Sequence, residues 1–489
     1  MKKVLATVAA LGLVFGVAAN AMALDQPARA SEAESTTQPR VPEPTAPGVA
    51  LWSVAGQWVL AGAYLNKGYG APFGAAVNPR SVNASEFGGP AGADAAYIYS
   101  FKILPVLQVN DKIAMKGELR FVDRSVLGWS DLGREGSSVI PERLQAGQDT
   151  NMKLYHVYME WTSPYGKTRF GRTPAGAWGT SKFTDSTRQG QRLMWWPNML
   201  PENWSALIFT EKLQENDAAN LAGLSHADAD LDAYYIGLSY KAPFGPTNSA
   251  LWMVRNAANL AEITSNRSPW TSANLWLNGK YQFAPILLEW ELSWGFGEAG
   301  YNSNDAEMDQ KSLSLMVNGS MQFGDFTAGG LFLYCSGDST GTDGDAETAC
   351  GNDRGTGRDY NPYQIMMGDY MNLWNADNPL SGNTIHPSLI TSGGNVGLWS
   401  IGAYGKFAMS PALSLTGEIG YFAAAEEPGG WDDEFGLEFG IGMGYKLMDN
   451  LMYNAHFSYL MTGDYFKEGT NNLETEDIYL VAHALSMKF

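Results

Sequence analysis

Large apolar residues alternate with small or polar ones along most of the chain, in runs of about ten to fifteen residues that each end in a turn. One run carries mainly glycine between its large residues, which are Phe435, Leu437, Phe439, Ile441, Met443, Tyr445 and Leu447. A second carries Glu, Ser and Gly between Leu288, Trp290, Leu292, Trp294 and Phe296. Because successive side chains of a β-strand point to opposite faces, this pattern predicts strands that are apolar on one face.

The length of the runs separates two architectures that share this period. A β-sandwich buries its apolar faces in a core, whereas a transmembrane barrel turns them toward lipid. Strands of soluble sheets usually hold about five or six residues, fewer than these runs. Aromatic residues also cluster near the strand ends, as in the girdles of membrane barrels. We therefore predict an all-β fold, a transmembrane antiparallel β-barrel.

Eighteen strands are predicted by the alternation and the turns between the runs. Their approximate ranges are 51–66, 94–108, 112–124, 151–163, 167–176, 188–196, 203–214, 230–242, 249–258, 271–284, 286–298, 310–322, 326–336, 395–408, 412–425, 433–447, 451–465 and 476–489. The pair 167–176 and 188–196 has the weakest pattern, so sixteen strands is the alternative. An even number would place both chain ends at the same rim of the barrel.

Short and long connections alternate between the runs. Short turns occur, for example, at 110–111, 284–285, 324–325 and 449–450, and long segments rich in Gly, Asp, Asn, Pro and Ser lie between them. Short periplasmic turns at one rim and long extracellular loops at the other are typical of outer-membrane barrels.

The chain ends on an aromatic residue that completes one of these runs. Counting back in twos from Phe489 gives Met487, Leu485, His483, Val481 and Tyr479, a mostly large and apolar set. This tail resembles the closing strand of a Gram-negative outer-membrane β-barrel, in which a terminal aromatic residue is the assembly signal. The resemblance implies that this signal comprises Tyr479, Val481, Leu485, Met487 and Phe489.

The N-terminus has the pattern of a cleaved export signal. A basic start is followed by an apolar stretch and by an Ala-x-Ala site, so residues 1–23 are predicted to be a signal peptide cleaved after Ala23. A retained membrane helix is the alternative. Residues 24–50 are rich in Pro, Ala, Ser and Glu and are predicted to form a disordered periplasmic linker. The barrel domain then covers 51–489, and the linker is too short to be a plug domain.

Charge and hydropathy narrow the function. The formal net charge is −19, or −21 once Lys2 and Lys3 leave with the signal, so nucleic acid is excluded as a partner. An acidic chain favours cations in a pore. The mean hydropathy of −0.20 fits a barrel, because alternation hides the lipid-facing residues in the average.

One segment is expected to narrow the pore. A strand ending in Gly171-Arg172, a Gly- and Asp-containing loop over 175–188, and a following strand with an aromatic residue before Pro197 resemble general porins, whose third long loop folds into the lumen. Charged residues on the wall and the loop would set a transverse field. The candidates are Lys116, Glu118, Arg120, Arg124, Glu160, Arg172, Lys182, Asp185, Arg188 and Arg192. For any one of them, a structural ion pair within the lumen is the alternative.

The longest loop, 337–394, combines cysteine chemistry with acidic residues. Cys335 and Cys350 lie close together in an exported protein, which predicts a disulfide. Asp338, Asp343 and Asp345 lie among Gly and Thr and could offer oxygen ligands to Ca²⁺, although their spacing does not match an EF-hand. The alternative is a solvated acidic loop without a cofactor.

These features together favour an outer-membrane porin, not an enzyme, that passes ions and small hydrophilic solutes by diffusion. A substrate-specific channel would need a row of inward aromatic residues, of which only Trp276 is evident. A surface adhesin that uses the long loop is a third hypothesis, and a hydrolase built around His156 or His456 a fourth. The porin resemblance implies a homotrimer in contact with lipid and lipopolysaccharide.

Overall fold

The computed structural model describes residues 51–68, 92–126, 153–177, 185–214, 231–242, 247–257, 270–301, 307–337, 345–346, 363–366, 396–427, 432–467 and 475–489. The predicted signal peptide and linker lie outside these residues. Within them, eighteen long strands form one closed sheet.

The strands follow the predicted ranges to within a few residues. They are β1 (Leu51–Gly68), β2 (Gly92–Asn110), β3 (Ile113–Val126), β4 (Lys153–Ser163), β5 (Gly166–Ala177), β6 (Asp185–Pro197), β7 (Trp204–Gln214), β8 (Leu231–Lys241), β9 (Thr247–Ala257), β10 (Trp270–Phe283), β11 (Ile286–Tyr301), β12 (Glu307–Phe323), β13 (Phe326–Cys335), β14 (Leu398–Ala408), β15 (Leu413–Ala423), β16 (Glu434–Met448), β17 (Leu451–Thr462) and β18 (Ile478–Lys488). A two-residue strand, Asp345–Ala346, pairs parallel to β12.

Each long strand pairs antiparallel with its chain neighbours, and β18 returns to pair with β1, so the sheet closes. Ala61 of β1 lies opposite Ala484 of β18 in this last ladder. The doubtful pair β5 and β6 is fully formed, from Gly166 opposite Pro197 to Ala177 opposite Asp185. The barrel therefore has eighteen strands, and the alternative of sixteen is wrong.

The alternation predicted from the sequence separates the two faces of the wall. Outward positions carry exposed apolar side chains, such as Ile236 at 61% and Ile441 at 64% exposure. Inward positions of the same strands carry polar or small residues, and Glu291 and Glu438 are fully buried. An apolar exterior around a polar interior is the arrangement of a barrel whose solvent outside is lipid.

Phe435 departs from this alternation. The sequence pattern grouped Phe435 with the outward residues of β16, but its side chain is fully buried inside the barrel. The register between β15 and β16 shifts at this point, and Gly436 adopts a φ of +129°. Such a bulge adds one residue to the strand and turns the preceding side chain inward. Phe435 there packs against Tyr465 and Phe466, with ring centroids 4.4 and 6.0 Å away.

The connections differ in length at the two rims, as predicted. At one rim the described turns are short, including 111–112, 284–285, 324–325 and 449–450, and both β1 and β18 have their free ends there. The segments at the other rim are mostly longer. Among the described residues, no helix is long and apolar enough to span a membrane.

An apolar cluster fills the lumen on one side of the barrel. Its buried residues come from β1, from β12 to β18, and from the loop segments 363–366 and 464–467. The loop contribution includes Tyr363, Ile365 and Met366, which pack against inward residues such as Leu331 and Leu333. This side of the interior is therefore a packed apolar core.

The terminal residue locks the seam where the barrel closes. The backbone N–H of Gly56 donates to the Phe489 carbonyl at 2.7 Å, and the Phe489 N–H donates to the Gly56 carbonyl at 3.1 Å. The Phe489 ring lies over Gly56, where a Cβ would collide with it, and stacks on Phe101 at 6.1 Å. The Phe489 ring thus covers the outer face of β1 and β2 at the seam, with about half of its surface still exposed.

Replacing the terminal ring tests the seam. Phe489→Ala is expected to destabilise the folded barrel by about 2 kcal/mol, because a half-buried phenylalanine loses its packing on Gly56 and Phe101. The heat-modifiable shift on electrophoresis and the thermal midpoint in detergent measure this effect. Phe407→Ala is the matched control, because Phe407 is similarly exposed at the same rim but away from the seam. Equal losses in both variants would contradict a special role for the terminus.

Candidate pore-lining site

A pair of ionic side chains on β3 meets a histidine on β4. The Nε atom of Arg120 donates to Oε1 of Glu118 at 2.7 Å, and Nε2 of His156 lies 3.6 Å from Oε2 of the same carboxylate. The register of β3 and β4 shifts here, and the Arg120 guanidinium stacks over the Tyr155 ring at 3.2 Å. The side chains of this first cluster are buried on the inner face of the barrel, so the Arg120 and Glu118 charges hold each other in place.

A second cluster lies nearer the short-turn rim. Glu160 of β4 accepts from Arg169 of β5 at 2.7 Å and from Lys116 of β3 at 3.3 Å. The Arg169 guanidinium also lies over the rings of Tyr158 and Trp196, at 5.3 and 5.0 Å. The three ionic side chains keep 17 to 18% exposure, so they remain in contact with the lumen. Two cations on one carboxylate leave a net positive charge.

The third cluster is the most deeply buried. Arg192 of β6 donates to Glu211 of β7 at 2.8 Å and to the backbone carbonyl of Thr173 at 2.8 Å. The hydroxyl of Tyr235 donates to the other oxygen of Glu211 at 3.2 Å, and its ring stacks on Phe209 at 3.9 Å. Both charged side chains are only 2% exposed. Hydrogen bonds between charged groups are short and strong, so we expect the Arg192–Glu211 pair to keep its geometry.

The structure brings some of the predicted pore residues together and not others. Lys116, Glu118, Arg120, Glu160 and Arg192 have inward side chains in these clusters. Arg172 instead lies opposite Val157 and Gln191, at outward register positions. The side chains of Arg124, Asp185 and Arg188, and all of Lys182, lie outside the described residues.

The expected constriction loop is shorter than the sequence indicated. Residues 175–177 and 185–188 belong to β5 and β6, so only seven residues, 178–184, connect the two strands. Described loop residues from the longest loop, at 363–366, do pack inside the barrel, together with those at 464–467.

Segment 363–366 is held by one buried carboxylate. Oε1 of Glu438 on β16 accepts the backbone N–H groups of Gln364 and Ile365 at 2.8 and 2.9 Å, and Oε2 accepts that of Met366 at 2.9 Å. Three N–H donors converging on a carboxylate form an anion-binding nest. The bonds fix the loop backbone to the inner wall.

Tyr363 wedges the same segment between two strands. Its ring meets Phe422 edge-on at 4.9 Å, and its hydroxyl donates to the Ile419 carbonyl at 3.4 Å. Gly402 and Gly420 make the space, because a Cβ on either would collide with the ring. Burial, together with the Glu438 and Glu418 carboxylates, raises the pKa of Tyr363, so its hydroxyl stays protonated and remains a donor.

His456 lies beside an acid and a hydroxyl, but the geometry is not that of a hydrolase. Its Nε2 atom is 2.8 Å from Oε1 of Glu418 and 2.9 Å from Oγ of Ser458. A catalytic triad needs the acid on one ring nitrogen and the nucleophile on the other. Here both contact the same nitrogen. The side chains lie across Gly440 and Gly442, whose missing Cβ atoms give them room.

Sequence reasoning missed several inward partners. Arg169 and Glu211 complete two of the clusters, and Tyr155, Tyr158 and Tyr235 surround them. Glu211 lies on the inward alternation of β7, so period alone could have identified it. Tyr155 could not have been found in that way, because the bulge in β4 turns it inward.

The predicted calcium site and the predicted disulfide both involve residues outside the described part of the chain. Asp338, Asp343 and Cys350 lie outside the described residues, and Asp345 is described only in its backbone. Cys335 is fully buried at the end of β13. The described part of the chain contains no group of three or more His, Cys, Asp or Glu side chains that could hold a metal ion.

Comparisons with known proteins identify the fold. No protein-family model matches the chain, and no curated protein matches it. Among solved structures it is similar to Pseudomonas aeruginosa OccK9 (OpdG), with 13% identity and a TM-score of 0.52 over 90% of this chain and 98% of that one. OccAB4 of Acinetobacter baumannii and the outer membrane protein opdK from Pseudomonas aeruginosa are 10% and 12% identical, each with a TM-score of 0.49 over 89% of this chain and 98% of theirs. The chain thus shares the closed β-barrel fold of OccK9.

The buried Arg192–Glu211 pair gives a stability prediction. Glu211→Gln is expected to destabilise the barrel by about 3 kcal/mol, because Arg192 keeps its charge in a buried site. The double variant Arg192→Met, Glu211→Met is expected to recover most of that loss, since both charges leave together. Urea unfolding in detergent measures both.

Lys446→Met is the control for this pair, because it breaks the exposed bridge between Lys446 and Asp449 at the rim. It should leave the unfolding midpoint unchanged. A double variant as unstable as Glu211→Gln would mean that packing, rather than the unpaired charge, determines the loss.

Proposed function

We propose that the chain forms a water-filled channel in the outer membrane of a Gram-negative bacterium and passes ions and small hydrophilic solutes by diffusion. The observation that carries the proposal is the inverted wall: outward side chains are apolar, whereas ionic clusters occupy the inward face. A barrel of eighteen strands is wide enough for an aqueous lumen. The ionic groups of the second cluster, which keep 17 to 18% exposure, would gain solvation from water in the lumen, which a sealed interior would not supply.

The distribution of inward charge supports a transverse field. The three clusters on β3 to β7 hold the cations Lys116, Arg120, Arg169 and Arg192 against three carboxylates. Glu418 on β15 and Glu438 on β16 lie about half a turn around the barrel from β6 and β7. Because Glu418 and Glu438 are buried, they would act on a solute through the electric field across the lumen and not by contact, and that field would orient dipolar molecules. The acidic composition favours cations overall.

A substrate-specific, gated channel is the second candidate. It is favoured by the three hydrogen bonds between Glu438 and segment 363–366, because a loop bound inside the lumen occupies part of the path. Tyr155 and Tyr158 are inward aromatic residues, each with an arginine guanidinium over its ring, and would give a solute stacking surfaces. In this second candidate, the width of the channel depends on segment 363–366.

The remaining features of the proposal concern export and assembly. Residues 1–23 would direct secretion and be removed, and residues 24–50 would form a periplasmic linker. The outward apolar band would contact lipid and lipopolysaccharide, and the barrels would assemble as trimers. A disulfide between Cys335 and Cys350 would tie the long loop to the end of β13.

Planar-bilayer recording under a salt gradient tests conduction and its charge preference together. The purified protein is expected to give stable channels whose reversal potential has the sign of a cation-selective pore. Glu160→Gln should lower the cation-to-anion permeability ratio by about twofold in dilute salt, because one charge about 8 Å from an ion in water contributes about 0.5 kcal/mol.

The control is Glu202→Gln, which removes the same charge from an exposed turn. It should change the permeability ratio less than Glu160→Gln does. A folded, heat-modifiable barrel that never conducts would contradict the channel. An unchanged ratio in Glu160→Gln would place the second cluster away from the ion path.

Releasing segment 363–366 should widen the path. Glu438→Gln is expected to raise single-channel conductance and the frequency of current fluctuations, because a neutral amide holds the three N–H groups less strongly than a carboxylate. Tyr363→Ala should act in the same direction by removing the wedge against Phe422. Glu427→Gln, which changes an exposed glutamate, is the control. If both loop variants conduct like the parent protein, the segment does not gate the path.

A further inference from the structure

The inward face of β10 and β12 is a neutral polar wall, distinct from the ionic clusters. On β10 it carries Ser272, Asn274, Trp276 and Asn278 at alternate positions, and Gln310 and Ser314 continue it on β12. All six are at least nine-tenths buried. None carries a charge. We call these six residues the amide wall.

The hydrogen bonds within the amide wall engage only some of its donor and acceptor atoms. The amide oxygen of Asn278 accepts from Ser249 at 2.8 Å, and that of Asn274 accepts from the Gln310 amide nitrogen at 3.2 Å. Six polar atoms then have no partner among the described residues. They are Nδ2 of Asn274, Nδ2 of Asn278, Nε1 of Trp276, Oε1 of Gln310 and the hydroxyls of Ser272 and Ser314.

Buried polar atoms are nearly always hydrogen-bonded, so six without partners on nearby strands need an explanation. Three are donors on alternate residues of β10, about 6.8 Å apart along the strand. Close by on β12 are a carbonyl acceptor and a hydroxyl. A molecule that meets this wall must accept and donate hydrogen bonds at several points.

A glycine on β11 makes the space that holds the amides in place. A Cβ on Gly295 would collide with the Gln310 amide nitrogen and the Ser312 hydroxyl, and would lie 2.8 Å from the Asn274 amide oxygen. The absence of a side chain therefore lets Asn274 and Gln310 reach each other across β11. Gly295→Ala would disturb this geometry without touching an orphaned atom.

The charges near the wall determine what kind of molecule fits. Glu291 is fully buried on β11, directly opposite Asn278 in the ladder, so an anion would meet a carboxylate. Three orphaned N–H donors would in turn repel a cation. Glu289, the next inward residue, is already paired with Lys280 at 2.9 Å. A neutral solute is the one class that neither feature opposes.

We propose that the amide wall is a subsite for a neutral, polyhydroxylated solute of the sugar class. Each hydroxyl of such a molecule both accepts and donates, which matches amide N–H groups, an amide oxygen and serine hydroxyls in one surface. The apolar face of a sugar ring can pack on Trp276, whose ring belongs to a small cluster with Ala233 and Met253. The inference deepens the proposed channel function, on which it rests, by naming a solute class.

Binding is tested without conduction, by equilibrium dialysis of radiolabelled D-glucose against the detergent-solubilised protein. The double variant Asn274→Leu, Asn278→Leu should weaken binding at least about tenfold, because two donors to the sugar are lost. Asn454→Leu, made in the same way on β17, is the control and should bind like the parent protein. Gly295→Ala should weaken glucose binding by displacing the Gln310 amide. Heat modifiability confirms that each variant is folded.

Ion current through single channels gives an independent measurement. Glucose is expected to reduce the current reversibly, whereas gluconate, which carries a carboxylate, should do so only at a much higher concentration. A channel that conducts but neither binds nor responds to glucose would overturn the subsite and leave the channel standing. A protein that binds glucose in dialysis but never conducts would overturn the channel and leave the subsite standing. Stronger binding of gluconate than of glucose would overturn the assignment to a neutral solute.

Discussion

The pairing of the first strand with the last is the constraint on which the rest of the structure depends. A strand in lipid has no water to satisfy its backbone, so every N–H and C=O must find a partner in a neighbouring strand. The ladder between β1 and β18 removes the two free edges, and Phe489 covers its end by exchanging two backbone hydrogen bonds with Gly56. Closure fixes the number of strands, and that number sets the width of the interior.

A closed wall of this width leaves an interior that residues of the chain itself must partly fill. On the side of β12 to β18 the filling is apolar and includes segment 363–366. On the side of β3 to β7 it consists of ionic pairs that span adjacent strands. Glycines make both arrangements possible: Gly402 and Gly420 admit Tyr363, and Gly190 admits the side chains of Glu211 and Arg192. The interior is therefore divided into a packed sector and a polar sector.

Glu438 connects the packed sector to the path through the barrel. A buried carboxylate is costly unless hydrogen bonds satisfy it. Here the donors are backbone N–H groups of a loop segment that is 72 to 74 residues away in sequence but adjacent in space. The loop and the wall thus depend on each other: the carboxylate needs the N–H groups, and the segment needs an anchor. This mutual dependence fixes a loop segment inside the barrel, which strand pairing alone would not place there.

The sequence alone determined the class of fold, the approximate limits of the strands and the face on which most side chains lie, because a period of two follows from strand geometry. It favoured eighteen strands over sixteen, and the formed pairing of β5 with β6 decided that number. It also identified Lys116, Glu118, Arg120, Glu160 and Arg192 as inward charges. Only the tertiary structure decided their partners, since Arg192 meets Glu211 through a register between strands that local pattern does not encode. Phe435 and Tyr155 turn inward because bulges break the period. The position of segment 363–366 inside the barrel depends on a carboxylate 72 to 74 residues away in sequence, which local pattern does not encode.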